Sequence, residues 1–498
     1  MIRRRTLLAA TGAGVLGSTL ATGTARADAT ITIDPSANRG VWEGWGTSLS
    51  WWARALGDQD IFADLFFTTD WVTYRNKSIP GLGLNIARYN AGASSWNQTA
   101  SGDRMVVSSG IQPWKRIEGF WQDWTSANPS SSAWNWNADA NQRAMLLKAV
   151  QRGAISELFA KSPMWWMCKN HNPSGAQQRF QDNLQAWNQR DYAYYLATVA
   201  SHARENWGVD FVSVEPFNEP SAEYWHAGNV QEGCYTSRGL QKTLLSHLRT
   251  ELDNYGLTGT RIAASDETSI THALATWDAF DAPTRALVDR VNVHGYEQGT
   301  PPRAQLYQKI VTDAGKGLWN SETGNGDHAG FSMALSILAD FRELRPTAWV
   351  YWQAMDNNPN WAMIDYTPPT GTGVTPTTPA QPGYVRPKYY LMAQFSRHIR
   401  PGMKILATGD PMSVAALDEK TGKLVIVVAN SGSTLQNITF DLSRFSAVTG
   451  RPDGVVPRWN TGAGDSYTQR STTLNGKSVT VPVNARCLQT VEVDGVVA

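Results

Sequence analysis

Short apolar runs alternate with longer helix-period segments eight times within about 350 residues, and this alternation constrains the chain more than any other feature. The runs end near Thr47, Tyr89, Lys161, Glu215, Ser265, His294, Ser321 and Trp352. Between them, residues 141–153, 191–208, 240–256 and 331–344 carry apolar positions at helical spacing, and the first three of these segments close on a glycine that suits a left-handed helix terminus. Eight strands alternating with helices argue for a closed (β/α)8 TIM barrel over an open doubly wound sheet, because no Gly-x-Gly-x-x-Gly loop follows the first strand. The helix-free stretch 91–137 then reads as a loop at the barrel mouth.

The character changes beyond Pro401, where short β runs at 424–429, 438–442 and 479–483 are separated by Gly and Asn turns. The alternating run Thr30-Ile31-Thr32-Ile33 is expected to join that module and tie the two chain ends together. The expected fold is thus α/β, a barrel over residues 38–400 fused to a small all-β sandwich over 401–498, with residues 28–37 adding an N-terminal strand to the sandwich. Residues 365–382 are Pro/Thr/Gly-rich, but 389–400 still looks helical, so the biased segment reads as another mouth loop. Ahead of all this, Arg3-Arg4-Arg5-Thr6-Leu7-Leu8, a weakly apolar run and Ala25-Arg26-Ala27 resemble a twin-arginine export signal with its cleavage site over residues 1–27. An extracellular protein is expected, and no later stretch reaches the roughly 18 apolar residues of a membrane span.

Charged residues are 17% of the 498 and the formal net charge is +1, so nothing steers the chain toward nucleic acid, anionic lipid or an acidic polymer. A neutral partner fits better, and a monomer is expected. The 22 tryptophans suggest flat faces for sugar rings, with aromatic core packing as the alternative. Cys168, Cys234 and Cys487 lie far apart with no Cys-x-x-Cys, which indicates neither zinc nor redox chemistry. At most one disulfide is possible, and Cys168 with Cys234, on consecutive barrel loops, is the pairing left open. No His-Glu-x-x-His, phosphate loop or EF-hand pattern appears, so no metal or cofactor is expected.

Barrel enzymes place their chemistry at the C-terminal ends of the strands. There the chain carries Arg88 on strand two, Lys161 through Trp165 after strand three, and the stretch VEPFNEP, Val214 to Pro220, after strand four. His294 and Tyr296 follow strand six, Glu322 stands on strand seven and Trp352 on strand eight. Two glutamates at strand ends of one barrel can face each other across its mouth. Glycoside hydrolysis needs such a pair, one carboxyl to protonate the leaving oxygen and one ionised to attack or to activate water. Glu215 precedes a proline that removes a backbone donor, which marks it as the last strand residue or a capping group.

Asn218-Glu219-Pro220 and Glu322 resemble the acid/base and nucleophile of the retaining (β/α)8 glycoside hydrolases. The sandwich joined to both chain ends, Ser162-Pro163-x-Trp165, His294-x-Tyr296, and Tyr389-Tyr390 through Arg400-Pro401-Gly402 resemble glycoside hydrolase family 30 over the whole mature chain. The stretch WEGWGTSLSWWA, Trp42 to Ala53, is similar to the endo-β-1,6-galactanase branch of that family. The resemblance implies a metal-free retaining endo-glycosidase acting on β-1,6-galactan side chains of arabinogalactan. It implies that Glu219 is the acid/base and Glu322 the nucleophile, with Asn218 on the sugar 2-hydroxyl. Arg88 would hold Glu322 ionised, Tyr296 would donate to it and Trp352 would floor the subsite, while Glu219 would stay protonated. His294, Trp165 and Trp51 are further candidate substrate contacts, and the Trp-rich loop from Trp42 to Trp52 is expected to offer stacking faces. Glu223, Asp266, Glu267 and Asp327 are rival mouth carboxylates. Other family specificities remain open: β-1,6-glucanase, glucuronoxylanase or an exo-acting β-glycosidase. Residues 356–385 contain no Lys or Arg to hold a uronic acid, which lowers the xylan reading. A non-catalytic carbohydrate-binding protein would have no need of both glutamates.

Overall fold

The computed structural model describes residues 28–371 and 376–498, and the expected export signal lies outside them. Eight parallel strands lie side by side in chain order: Gly44–Ser48 (β1), Ile86–Asn90 (β2), Ile155–Phe159 (β3), Phe211–Glu215 (β4), Arg261–Ile262 (β5), Arg290–His294 (β6), Gly317–Thr323 (β7) and Ala348–Gln353 (β8). β8 pairs back to β1, and bridges from Ala263 to Arg290 and from Glu267 to Val293 join β5 to β6. The sheet is therefore closed into a barrel. Helices form where the apolar period placed them, as in Arg238–Asn254, whose first turn is capped by the Ser237 side chain. The chain turns out of that helix at Gly256, where φ is 66° and a side chain would be strained.

Side chains alternate across each strand, so the barrel interior is built in layers. Ile86, Trp319, Ala348 and Val350, with Ile155 against them, form a small apolar plug near the strand starts. Two residues further along, the interior turns ionic. Arg88 and Glu157 are register partners, as are Glu157 and Ser213. Arg88 Nε donates to Glu157 Oε1 at 2.8 Å, and Ser213 Oγ donates to Oε2 at 2.8 Å. Arg290 donates to the same carboxylate and, at 2.7 Å, to Ser213 Oγ, with its guanidinium 3.4 Å from the Trp319 ring centroid. Arg88, Glu157 and Arg290 are all buried, so each charge depends on its partners for solvation.

Ala29–Thr32 pairs in parallel with the strand Gln436–Asp441, and Asn38–Val41 pairs antiparallel with Lys404–Leu406. The N-terminal end thus contributes a second strand to this sheet just past residue 37. The sandwich has its own core around Ile426, Val428, Phe440, Val481 and Val491. It docks on the barrel through the helix Pro387–Ser396, where Thr490 Oγ1 donates to the Gln394 carbonyl at 2.7 Å. The two ends of the Pro/Thr-rich segment lie in a hairpin, because Ile364–Thr367 and Gln381–Val385 pair antiparallel. All three cysteines are free and buried, so the Cys168 to Cys234 bridge is not formed. Most of the 22 tryptophans pack inside, including Trp42, Trp45 and Trp52 of the loop expected to present stacking faces. An indole N–H can be satisfied in the core by a carbonyl, as Trp45 does at Ile399 and Trp52 at Ser48.

Glu157→Ala leaves two buried guanidiniums without their shared anion. The expected cost is about 3–5 kcal/mol of unfolding free energy, read from urea denaturation. A loss below about 1 kcal/mol would mean that the ionic layer does not hold the barrel together.

Candidate active site

Glu215 ends β4 with its side chain buried, and its Oε1 accepts from the Phe217 amide at 3.2 Å while Oε2 has no partner. Burial, reinforced by the nearby Asp266 and Glu157 charges, pushes this carboxyl well above its ordinary range and so favours its neutral form. Four residues on, the backbone of Glu219 is left-handed, with φ at 51°. Three hydrogen bonds fix it there: its amide donates to the Asp266 carbonyl at 2.8 Å, and its carbonyl accepts from Trp225 Nε1 at 2.8 Å and the Ala222 amide at 3.0 Å. A non-glycine residue in this region is strained and persists only where its surroundings over-determine it.

Glu322 reaches the interior by a different device. Strict alternation would place Ser321 and Thr323 on the inner face and Glu322 on the outer one. The β6–β7 register, however, runs from Val293 opposite Asn320 to His294 opposite Glu322. This bulge re-aims the Glu322 side chain into the mouth while Ser321 also stays inside.

Between the two glutamates lies His294, fully buried, its Nδ1 3.2 Å from Glu219 Oε1 and 3.5 Å from Glu322 Oε1. Its Nε2 faces Asp266 Oδ2 at 3.1 Å, close enough for an ion pair but poorly aligned for a hydrogen bond. Burial alone would lower the His294 pKa, but the charges of Glu322 and Asp266 outweigh it and raise it to about 10. Asp266 is pushed up by burial and pulled further down by Arg88 and His294, and it ends well below the usual carboxylate range. Arg88 donates to Asp266 Oδ2 at 2.8 Å and to the Ser321 carbonyl at 3.0 Å, and its Nη1 stands 3.6 Å from Glu322 Oε2.

The carboxylates differ in their donors. Glu219 accepts from the Tyr224 hydroxyl as well as from His294, and these bonds outweigh burial and lower its pKa. Glu322 accepts from Tyr296 at 2.9 Å, but its Oε2 has no hydrogen-bond partner. Burial raises its pKa, His294 pulls it back, and the Glu219 charge pushes it up again, leaving it raised. The protein's own groups therefore bias the pair opposite in sign to the expected protonated Glu219 and ionised Glu322. One oxygen of each carboxyl and one nitrogen of His294 lie within 4.8 Å of one another, a set that could hold a cation. An imidazolium, with both nitrogens protonated, has no lone pair to offer a metal.

The sequence-predicted residues fall into two groups. Glu219, Glu322, His294, Tyr296 and Arg88 form one connected cluster, but Arg88 and His294 lie fully buried beneath the carboxylates rather than open to a substrate. Asn218 lies beside Glu219 in the chain, with its buried Oδ1 unpartnered. Trp352 is 7% exposed and meets Trp51 edge-on at 5.1 Å. Trp51 carries Lys115 and Lys161 ammoniums 4.2 and 4.4 Å from its ring centroid, and Trp165 is fully buried with its indole N–H on Ser95 Oγ. Neither therefore presents the open stacking face expected of it. Of the rival carboxylates, Glu223 is exposed, Glu267 is taken by Ser221 and Thr276, and Asp327 by Ser332.

Tyr224 and Trp361 were missed. Both lie in loops with no period to mark them. The half-buried Trp361 ring sits 6.3 Å from Tyr296 and so close to Gly324 that an added Cβ would meet it at 2.9 Å. A cavity of about 590 Å³ is lined by sandwich and N-terminal strand residues such as Thr30, Asp410 and Gln436 and offers no aromatic face.

A family model described as O-glycosyl hydrolase family 30 matches residues 28–285. An endo-beta-1,6-galactanase from Hypocrea rufa is 48% identical over 477 residues, which cover 95% of this chain and 96% of that protein. A conserved exported protein from Bacteroides fragilis superposes with a TM-score of 0.75 at 19% identity, covering 93% of this chain and 100% of that one. A family 30 subfamily 8 xylanase from Clostridium acetobutylicum superposes with a TM-score of 0.66 at 21% identity, covering 94% and 100%. These two structural matches show the fold alone.

Because His294 gains its charge partners on folding, it stabilises the protein fully below about pH 6.5, its unfolded value, and loses that contribution as pH rises through about 10. The melting-temperature gap between the protein and His294→Gln should accordingly be widest near pH 6 and narrow toward pH 10. A gap that widens with pH would mean that the folded imidazole is neutral.

Proposed function

The chain belongs to O-glycosyl hydrolase family 30, and from that membership we propose that it is a secreted, retaining endo-β-1,6-galactanase that cuts the galactan side chains of arabinogalactan. The Hypocrea rufa relative supports the substrate, since its 48% identity runs through almost the whole of both chains. The single observation that carries the chemistry is the closeness of Glu219 and Glu322, with one oxygen of each inside 4.8 Å around His294. That spacing favours a nucleophile at van der Waals distance over an inverting site, which needs room for a water between its carboxyls.

In this reading the Glu322 carboxylate attacks the anomeric carbon, the glycosidic C–O bond breaks, and the Glu219 proton goes to the departing oxygen. Water then attacks the glycosyl ester, Glu219 takes its proton, and Glu322 leaves as the carboxylate. Two carboxylates this close do not both ionise cheaply, so the pair retains one proton, whose position follows the donors around it. Among the protein's own groups Tyr224 and His294 favour the anion on Glu219. A sugar hydroxyl donating to the unpartnered Glu322 Oε2 reverses that balance and sends the proton to Glu219, where departure of the leaving group needs it. Asn218, its Oδ1 free of protein partners, accepts from the 2-hydroxyl.

Among the described residues no helix is long and apolar enough to cross a membrane, and export rests on the arginine-led segment before residue 28. Carbohydrate binding without hydrolysis leaves the buried carboxylate pair without a use.

Early digests of linear β-1,6-galacto-oligosaccharides, sized by chromatography, test the substrate and the mode of attack. Internal cleavage should release a spread of short β-1,6-galacto-oligosaccharides from the first minutes. Galactose alone at that stage points to an exo enzyme, and no cleavage beside rapid attack on β-1,6-glucan moves the chain to the glucanase specificity.

A further inference from the structure

Two lysines are buried at the barrel mouth, and they differ in one respect. Lys388 is surrounded by oxygens: the carbonyls of Asn325 at 2.7 Å, Asn360 at 2.8 Å and Trp361 at 3.4 Å, and the Tyr351 hydroxyl at 3.0 Å. Its donors are satisfied, and it pins the loops after β7 and β8 together. Lys161, just beyond β3, is 3% exposed, yet among the described residues its ammonium has one long contact, to Gln231 Oε1 at 3.5 Å. Otherwise it rests on aromatic rings, 4.0 Å from the Trp352 centroid and 4.4 Å from that of Trp51.

A cation–π contact offsets part of the cost of desolvating an ammonium but leaves its N–H donors unused. A buried donor without an acceptor is disfavoured, and such exceptions in a folded protein call for a reason. Other buried polar atoms of the same mouth lack partners too, among them Asn218 Oδ1 and Glu322 Oε2 at the carboxylate pair. Burial lowers the Lys161 pKa, and the charges of Glu322, Glu219 and Glu232 facing it pull it partly back against the neighbouring Lys115, leaving it at about 8. A cationic group with donors to spare, beside the unpartnered Asn218 Oδ1 and Glu322 Oε2, complements a sugar ring, whose rim alternates hydroxyl donors and acceptors.

We propose that Lys161 is a substrate-contact residue that donates to the 3- or 4-hydroxyl of the sugar held between Glu219 and Glu322. This rests on the galactanase reading. In a β-1,6 chain carbon 6 of that sugar carries the next residue and the 2-hydroxyl goes to Asn218, which leaves positions 3 and 4 for the ammonium. A purely electrostatic effect of Lys161 on the carboxylates is separable, because it shifts the pH profile without singling out a hydroxyl.

The test is a coupling measurement on an activated aryl β-1,6-galactobioside and its analogues deoxygenated at position 3 or 4 of the sugar next to the aryl group. In the wild type, removing the hydroxyl that Lys161 contacts should lower kcat/KM about 10- to 100-fold, the range of a hydrogen bond to a charged group. Lys161→Met should lose a similar factor on the parent substrate and then be nearly indifferent, within about 3-fold, to that same deoxygenation. Lys161→Gln, which keeps a donor, should fall between, and it stands in if the Met variant fails to fold. A variant that keeps the full wild-type penalty at both positions, or that retains parent activity, overturns the assignment while leaving the galactanase reading intact. No turnover of the parent substrate by the wild type overturns both.

Discussion

A ladder of alternating charge climbs the inside of the barrel, and the site depends on it. Arg290 holds Glu157, Glu157 holds Arg88 at 2.8 Å, Arg88 holds Asp266 at 2.8 Å, and Asp266 faces His294 at 3.1 Å. His294 then stands between Glu219 and Glu322. No rung is stable alone, because a lone buried charge would shift its pKa and neutralise. The three cations Arg290, Arg88 and His294 meet the four carboxylates Glu157, Asp266, Glu219 and Glu322. The Lys161 ammonium faces the topmost pair and offsets part of their charge, and the closeness of the two carboxylates favours a shared proton there, which general acid catalysis needs. Structural ion pairing deep in the barrel and acid–base poise at its mouth are thus one electrostatic system.

Placement of the two glutamates is a backbone achievement. Glu219 is held in a left-handed conformation by hydrogen bonds to Asp266, Trp225 and Ala222, and Glu322 is turned inward by a bulge against β6. Each device departs from regular geometry at the point where a carboxylate must face its partner. Such departures persist because the ladder and the closed sheet around them over-determine the positions.

Much of this was legible in the chain. Strand ends near Tyr89, Glu215, His294, Ser321 and Trp352 followed from apolar runs, since a β-strand buried on both faces reads as a continuous hydrophobic stretch. Asn218-Glu219-Pro220 and Glu322 stood out because they sit at those ends. The exposure of the tryptophans was not legible: an indole that stacks on a sugar and one whose N–H finds a core carbonyl, like Trp45, look alike in a sequence. Nor were the partners of the carboxylates. Tyr224 lies five residues past Glu219 in an aperiodic loop, and Lys161 reads equally as a surface side chain snorkelling from a strand end. The relative acidity of Glu219 and Glu322 depends on which oxygens lack donors, a three-dimensional property that neither strand period nor motif carries.

The central claim is that Glu322 carries the sugar between two displacement steps while Glu219 handles the proton. Incubation with an activated 2-deoxy-2-fluoro-β-1,6-galactobioside tests it most directly, because fluorine slows both steps and the good leaving group restores the first. Mass spectrometry of the intact protein should then show one fluoroglycosyl group per chain, and peptide mapping should place it on Glu322. A label on Glu219, or steady turnover with inverted configuration and no labelled protein, would contradict the claim.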